Sequence, residues 1–386
     1  MSLIIATILR EEGVTGVHTH VRQLQRYLAK QDMAAALVTP SSRRRLMAAP
    51  VFGVSSVLRW CSGSATVVWY LYWHEAFLRN ALRRRLAEVG ECVVYAQSPT
   101  AARAALRARY GPHQRVVMAV HFMTSYADEF AADYIKKDGK VFQAIRQFER
   151  ETIPLVDGIV YVSNAVRSAL LAWLPEAVSA PSAVINNFVA SSSSSPCQEP
   201  CGDLVSIGAL RPLKNHRFLL EILSEVKRTG RSITLDVFGD GPSRKELEQL
   251  TRSLGLENQV RWRGFRQDVR KLMSGYKIYV HTSYSEAHPL AIVEAMAAGL
   301  PIIAGDVGGI SEMGDNGLEI RFWPLDDPAK AAAVLLELLD CEPLRLKAAS
   351  AAASRFKRDF DADVVGARLL AFLLGGTDRS CGTSKE

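Results

Sequence analysis

Ile278-Tyr279-Val280-His281, then Glu286-Ala287-His288-Pro289-Leu290-Ala291-Ile292-Val293-Glu294-Ala295-Met296-Ala297-Ala298-Gly299, then Pro301-Ile302-Ile303-Ala304, read as strand, helix, strand. The outer runs are short and apolar, as strands buried on both faces are. Pro289 suits the first position of a helix, where a missing N–H costs nothing. Gly299 suits the stop.

The same alternation extends in both directions. Upstream, strands are predicted at 204–208, 233–238 and 260–263, with Ser243 and Glu246 forming a capping box that opens a helix. Downstream, residues 328–374 form a long Ala- and Leu-rich helical stretch. The first half repeats the pattern, with strands at 3–9, 34–39, 93–97, 116–120 and 159–162. Val17, Val21, Leu24 and Leu28 follow helical spacing. Between the halves, 191–202 turns into Ser191, Pro196, Pro200 and Gly202, which is linker composition. The fold class expected is therefore α/β, as two tandem Rossmann-like, doubly wound domains with a ligand cleft between them. The first spans 1–190, the linker 191–202 and the second 203–374, whose last helix packs back on the first domain. A frayed tail, 375–386, follows.

The 386 residues suit two such domains, and 48% hydrophobic with 23% charged residues fits a globular chain. Cys61, Cys92, Cys197, Cys201, Cys341 and Cys381 form no framework, which fits a reducing cytoplasm. No targeting segment or clean membrane span is visible. The basic excess lies in residues 1–180, with 22 Lys and Arg against 14 Asp and Glu; the remainder has 25 against 26. Arg43, Arg44, Arg45, Arg79, Arg83, Arg84, Arg85, Arg103, Arg107 and Arg109 supply most of it. Two readings stand: a solvated helix face, or attraction to anionic lipid headgroups at a membrane surface. Nucleic acid is not expected, because no binding motif accompanies the charge.

The chemistry concentrates where it began. The amides of Leu290 and Ala291 open a helix and form an anion site. Glu294 shares their face in an otherwise apolar helix and needs a partner, such as a ribose diol or a buried Arg. Glu286, in the loop before this helix, could reach a sugar hydroxyl or stand merely exposed. In the first half, Gly13 and Gly16 lie between the first strand and its helix, and allow close backbone approach to a ligand or a plain tight turn. His18 and His20 do not share a helix face. His121 ends the strand 116–120, and Ser163-Asn164 ends the next. Asp361-Ala362-Asp363 has the letters of a metal motif but reads as solvated surface, so no metal is expected.

Glu286 and Glu294, followed by Ala295-Met296-Ala297 and Asp306-Val307-Gly308-Gly309-Ile310-Ser311-Glu312, resemble the signature of the retaining glycosyltransferase family 4, or group 1, which has the GT-B fold. Gly208-Ala209-Leu210-Arg211-Pro212-Leu213-Lys214-Asn215-His216 resembles its pyrophosphate loop, and Phe238-Gly239-Asp240-Gly241-Pro242 and Gly264-Phe265 resemble later landmarks. The second half matches nearly throughout, the first more weakly. The resemblance implies a catalytic set of His121, Arg211, Lys214 and Glu286. It implies a donor-binding set of Gly16, Gly239, Phe265, His288, Leu290, Ala291 and Glu294. Lys214 would meet the donor pyrophosphate, Glu294 the ribose, Glu286 and His121 the transferred sugar, and backbone near Phe265 the base. Ala209 stands where the family usually has Arg, and Arg211 substitutes less directly. The expected reaction is metal-independent transfer, with retained anomeric configuration, from a nucleoside-diphosphate sugar to a saccharide or lipid-linked acceptor. It would serve exopolysaccharide or cell-envelope glycan assembly, in the cytoplasm or peripherally on the inner membrane face.

Three rivals remain. A sugar-nucleotide epimerase or sugar-phosphate synthase would use the same fold. A dehydrogenase needs a Gly-x-Gly-x-x-Gly turn, which neither Gly239-Asp240-Gly241 nor Gly13 with Gly16 completes. A non-catalytic sugar-binding protein would leave Lys214, Glu286 and Glu294 without a joint purpose.

Overall fold

The computed structural model describes residues 2–41, 62–191 and 201–375. Arg43, Arg44, Arg45, Trp60, Cys61, Cys197, Cys381 and most of the linker lie outside the described residues. The chain divides into two compact units, Met1–Asn186 with Val365–Glu386, and Asn187–Val364.

The first unit is built on six parallel strands: β1 (Ser2–Ala6), β2 (Ala35–Val38), β3 (Cys92–Ala96), β4 (Gln114–Val120), β5 (Gly158–Tyr161) and β6 (Ser182–Val184). Their order is β2-β1-β3-β4-β5-β6. The second carries β7 (Gly202–Ile207), β8 (Leu235–Phe238), β9 (Val260–Gly264), β10 (Tyr276–His281), β11 (Ile302–Gly305) and β12 (Ile320–Trp323). Their order is β12-β11-β10-β7-β8-β9. Each order reverses once, between β1 and β3 and between β7 and β10. Ligands of doubly wound sheets bind at such switch points, beyond the carboxyl ends of the strands. Every residue of β3 is buried, as helices on both faces of a parallel sheet require.

The sequence reading found five strands in each half and missed β6 and β12. Both are edge strands. β6 has three residues, and β12 mixes Arg321 into its apolar run.

Helix starts follow side-chain caps. Thr15, Ser62, Ser98, Ser125 and Ser163 each accept a backbone N–H in the first turn. The capping box expected at Ser243 and Glu246 does not form. Ser243 already has helical dihedrals and makes no side-chain cap, its N–H donates to the Leu210 carbonyl at 3.0 Å, and Glu246 pairs with Arg217. Pro289 is the cap of the helix Leu290–Ala297, one position ahead of its expected place.

The stretch 328–374 is three helices, Pro328–Asp340, Glu342–Asp359 and Ala362–Leu373. The last belongs mainly to the first unit. A Cβ on Gly366 would meet the Tyr27 ring at 2.7 Å, and Arg115 donates to the Leu373 carbonyl at 3.3 Å. Asp361, expected on the solvated surface, is buried instead. It holds the Asp363 N–H at 2.8 Å and the Ser191 hydroxyl, fixing the start of this helix.

Candidate active site

In the second unit, strand ends β7, β8 and β9 are laced together by their glycines. The Gly208 N–H donates to the Phe238 carbonyl at 3.0 Å, and the Gly239 N–H donates to that of Gly264 at 2.9 Å. Gly239 has φ +144°, and a Cβ there would lie 1.9 Å from the Gly208 carbonyl oxygen. Glycine is therefore required by packing at this position, whatever ligand the loop holds. The chain then makes a short turn at Pro212–Lys214, passes through left-handed Asn215 and enters the helix His216–Arg228. The Asn215 Nδ2 and His216 Nδ1 atoms are buried without a hydrogen-bond partner. Burial first, then positive charge at His281 and Lys214, pulls the His216 pKa down to about 3.

That turn aims Lys214 at Glu286. The Lys214 Nζ lies 2.5 Å from Glu286 Oε1, and His281 Nε2 lies 2.8 Å from the same oxygen. Ser283 Oγ is 3.0 Å from His281 Nε2, and the Tyr279 hydroxyl is 3.0 Å from His281 Nδ1. Tyr279, His281, Ser283 and Glu286 are all buried. Burial works to raise the Glu286 pKa, but the Lys214 charge and the His281 bond outweigh it and hold the carboxyl well below its usual range. Burial, then Glu286 and Glu294, pushes Tyr279 well above its ordinary value, so it keeps its proton. His281 was not among the expected site residues. Its place at the carboxyl end of β10, beside the switch point, is the signal that finds it.

Glu286 leads into the helix Leu290–Ala297. The first helical bond runs from the Ile292 N–H to the Pro289 carbonyl at 3.1 Å, so the Leu290 and Ala291 amides stand ahead of it. Glu294 is half-buried on this helix. Phe265 is 48% exposed beyond β9, so its ring is open to a flat partner. Arg211 is half-buried in the loop after β7. His288 differs from its expected donor role. Its ring is turned inward, 5.2 Å edge-on to Phe360, with both nitrogens unpartnered, and burial pushes its pKa down to about 3. What it offers polar neighbours is its main chain, whose carbonyl accepts from Asn187 at 2.8 Å.

In the first unit, Gly16 begins the helix Gly16–Lys30, and a Cβ there would meet nothing within 4 Å. Gly13 is different, since a Cβ would meet the His18 ring at 2.2 Å. His18 closes the cap with Thr15, its Nδ1 2.7 Å from the hydroxyl. His20 turns inward, 3.3 Å from the Tyr95 hydroxyl, and its ring packs edge-on to His121 at 4.9 Å. His121 Nε2 meets Gln97 Oε1 at 3.0 Å. Burial, and then His20, holds His121 well below its usual value, so it is neutral.

The loop after His121 is fixed by the helix Lys140–Thr152. Buried Glu149 accepts the Tyr126 N–H at 2.7 Å and the Ala127 N–H at 3.3 Å, and burial raises its pKa to about 7 against those bonds. Ser163 caps the helix Asn164–Trp173 through the Val166 N–H.

The helix Gly63–Ala87 carries the aromatic residues, with Trp69, Trp73 and Phe77 rings 5.6 and 5.8 Å apart in series. Part of the basic excess is engaged internally. Arg103 and Arg107 hold buried Glu75 at 2.5 and 2.8 Å, and Arg109 holds Asp157 at 2.7 Å. Arg83, Arg84 and Arg85 remain exposed. Among the described residues no helix is long and apolar enough to cross a membrane, and no three His, Cys, Asp or Glu side chains converge as a metal site.

Two family models match the chain: "Glycosyl transferases group 1" over 195–355 and "Glycosyltransferase Family 4" over 14–192. Among curated relatives, the putative glycosyltransferase EpsF of Bacillus subtilis is 32% identical over 40% of this chain and 37% of its own length. Protein CapJ of Staphylococcus aureus is 33% identical over 29% of each chain. The matched stretches thus span well under half of these relatives. Among solved structures, Thermosynechococcus elongatus sucrose-phosphate synthase superposes with TM-score 0.76 at 15% identity, over 97% of this chain and 98% of that one. Anabaena HepE in complex with UDP and glucose gives 0.69 at 17%, over 97% and 100%. These likenesses establish the GT-B fold.

Proposed function

The chain belongs to the group 1, family 4 glycosyltransferases, and from that premise we propose that it moves a sugar from a nucleoside-diphosphate sugar to an acceptor hydroxyl with retained configuration. The observation that carries this is the Lys214–Glu286 pair, set directly before the N-terminus of Leu290–Ala297. One strand edge thereby offers a cation, a buried carboxylate and open amides. A diphosphate needs the first and third, and a sugar hydroxyl the second.

In this reading Lys214, Arg211 and the amides of Leu290 and Ala291 bind the pyrophosphate and stabilise the charge that grows on it as it leaves. Glu294 accepts from the ribose diol, Glu286 orients the transferred sugar, and Phe265 lies beside the base. The bond between the anomeric carbon and the phosphate oxygen breaks while the acceptor oxygen bonds to the same face. The acceptor's proton passes to the departing phosphate oxygen. His121, neutral, donates to or accepts from a sugar hydroxyl without carrying charge. No metal ligand set enters these steps.

UDP-glucose is the first donor to try, because HepE was crystallised with UDP and glucose. Among the relatives, the name of Rhizobium meliloti LpsD, a lipopolysaccharide core biosynthesis glycosyltransferase, favours a cell-envelope saccharide acceptor. The exposed Arg83, Arg84 and Arg85 favour one presented at an anionic membrane face. The test is transfer from UDP-, GDP- and ADP-glucose to envelope saccharides, on anionic or neutral vesicles and with chelator, reading the new linkage by NMR. An α linkage from an α donor, unaffected by chelator, supports the reading. A β linkage, or no turnover of any donor, overturns it.

A further inference from the structure

We propose that Asn187 and Phe360 are positioning residues for the donor loop 286–289, and that a donor bound at this loop steadies the two passages of the chain between its units. The proposal rests on this loop holding the donor, as in the function given above.

The chain passes between its units twice, after Asn186 and after Val364. Within the second unit the two passages are bonded to each other. Val189 and Asp361 form a parallel bridge. The Val189 N–H donates to the Phe360 carbonyl at 3.3 Å, and the Ala362 N–H donates to the Val189 carbonyl at 3.0 Å. The Ser191 hydroxyl bonds to Asp361, and Arg270 donates to the Ala190 carbonyl. Phe188, Val189 and Phe360 are buried. Val189 and Phe360 share one apolar core with Leu290, Ile292 and Val293 of the helix Leu290–Ala297.

His288 touches both passages. Its carbonyl accepts from Asn187 Nδ2 at 2.8 Å, and its ring lies edge-on to Phe360 at 5.2 Å. It stands two residues after Glu286 and directly before Pro289, the cap of Leu290–Ala297. Both ring nitrogens are buried without a partner, so the ring contributes shape and the orienting bond is the one to its main chain. A buried carbonyl needs a donor, and Asn187 supplies it. At the other end of the loop the Gly309 N–H donates to the Glu286 carbonyl at 2.8 Å.

A donor that uses the Glu286 carboxylate and the amides of Leu290 and Ala291 spans the residues on both sides of His288, so it binds the loop in one position. Such a link is reciprocal. If the passages hold the loop ready for donor, the donor holds the passages. Asn186 makes the same kind of bond in the first unit, from Nδ2 to the Val162 carbonyl at 3.0 Å. Two consecutive asparagines thus fasten the first passage, one in each unit, and the second of them reaches the donor loop.

The test is amide hydrogen exchange of the full chain with and without UDP-glucose, joined to donor affinity by isothermal titration for the wild type, Asn187→Asp and Asn186→Asp. Each substitution keeps the side-chain shape and removes the N–H that donates. Saturating UDP-glucose is expected to slow exchange in the peptides carrying the Val189 and Ala362 amides by about threefold or more. Asn187→Asp is expected to weaken donor binding about tenfold, the size of leaving a buried acceptor unpaired, and to abolish the slowing. Asn186→Asp should bind donor within about twofold of the wild type. A general weakening of the passage would move both variants alike. Phe360→Leu, which keeps apolar bulk and removes the ring edge, serves if Asn187→Asp does not fold, and is expected to weaken donor about threefold. Unchanged exchange in both peptides with donor bound overturns the proposal and leaves the function standing. So does an equal loss of affinity in the two aspartate variants, or wild-type affinity in Asn187→Asp or Phe360→Leu. Absence of binding by UDP-, GDP- and ADP-glucose overturns the donor site, and this proposal with it.

Discussion

His121 and His281 each stand at the carboxyl end of a strand in their own sheet, after β4 and in β10, in opposite company. His121 faces His20 and Gln97, with Tyr95 on the far side of His20, and burial keeps it neutral. His281 faces Glu286 and, through it, Lys214. The first edge presents a neutral imidazole beside an amide, suited to hydroxyls. The second holds a cation that a diphosphate can take. In the proposed function, one architecture would thus carry two kinds of recognition, with the residues at the strand ends deciding which.

Removing the charge should separate the two edges most. Lys214→Met is expected to lower kcat by about 100- to 1000-fold, the size of losing one preorganised electrostatic donor. It should also cost about 2 kcal/mol of stability by urea unfolding. That lies below the usual range for a broken buried pair, because Lys214 is 27% exposed. His121→Ala is expected to lower kcat by about 100-fold and leave stability within about 1 kcal/mol, since no charge is stranded. Equal stability losses in the two variants would erase the contrast.

Acid should weaken the second unit more than the first. His216 and His288 stay neutral when folded, with pKa values near 3, while the unfolded chain binds protons below its ordinary histidine value. Stability therefore falls as pH falls through about 6.5, by about 3 kcal/mol for the pair between pH ~7.5 and ~5.5. His74 and His121 act in the same direction in the first unit. Glu149 opposes them. Its folded pKa, raised to about 7, stabilises the fold as pH drops from there towards 4.5. His18 adds to the loss in the first unit, and Glu149 offsets part of it, which leaves the first unit the smaller net loss. Hydrogen exchange resolved by unit measures both, and a first unit that loosens before the second contradicts the assignment.

The glycines of the two loops sharpen the comparison further. Gly239→Ala is expected to cost at least about 2 kcal/mol, from a strained φ and a clash with the Gly208 carbonyl. Gly16→Ala is expected to be neutral or to stabilise by up to about 1 kcal/mol, in open space at a helix start. Activity lost in Gly16→Ala without loss of stability would then report a ligand against that backbone. The smallest effects concern caps. Ser98→Ala should cost about 1 kcal/mol and Ser243→Ala under about 0.5, because Ser98 accepts the Ala101 N–H and Ser243 caps nothing.

What the sequence disclosed follows from where each residue lies. Central strands announced themselves because both faces are buried and the run is unbroken, as in Cys92–Ala96. The edges β6 and β12 did not, being short or mixed. Glu294 was conspicuous as a carboxylate in an apolar helix, whereas Glu286, in the loop before it, was legible through the family resemblance. His281 was not, because a histidine closing an apolar strand looks the same whether it faces a carboxylate or a methyl group. Ser243 and Asp361 misled for one reason. A cap and a solvated acid are both defined by where the neighbouring main chain runs, which pattern alone does not fix. The inward turn of His288 depends likewise on Phe360, distant in sequence.

The most direct test of the second-unit site is thermal stabilisation by UDP, GDP, ADP and their glucose conjugates, without added metal, for the wild-type chain and Glu294→Ala. A ligand at about 100 times its dissociation constant should add about 2.7 kcal/mol. The account predicts a shift with one nucleotide series that disappears in Glu294→Ala. No shift with any of them, or one that survives unchanged in that variant, would contradict it.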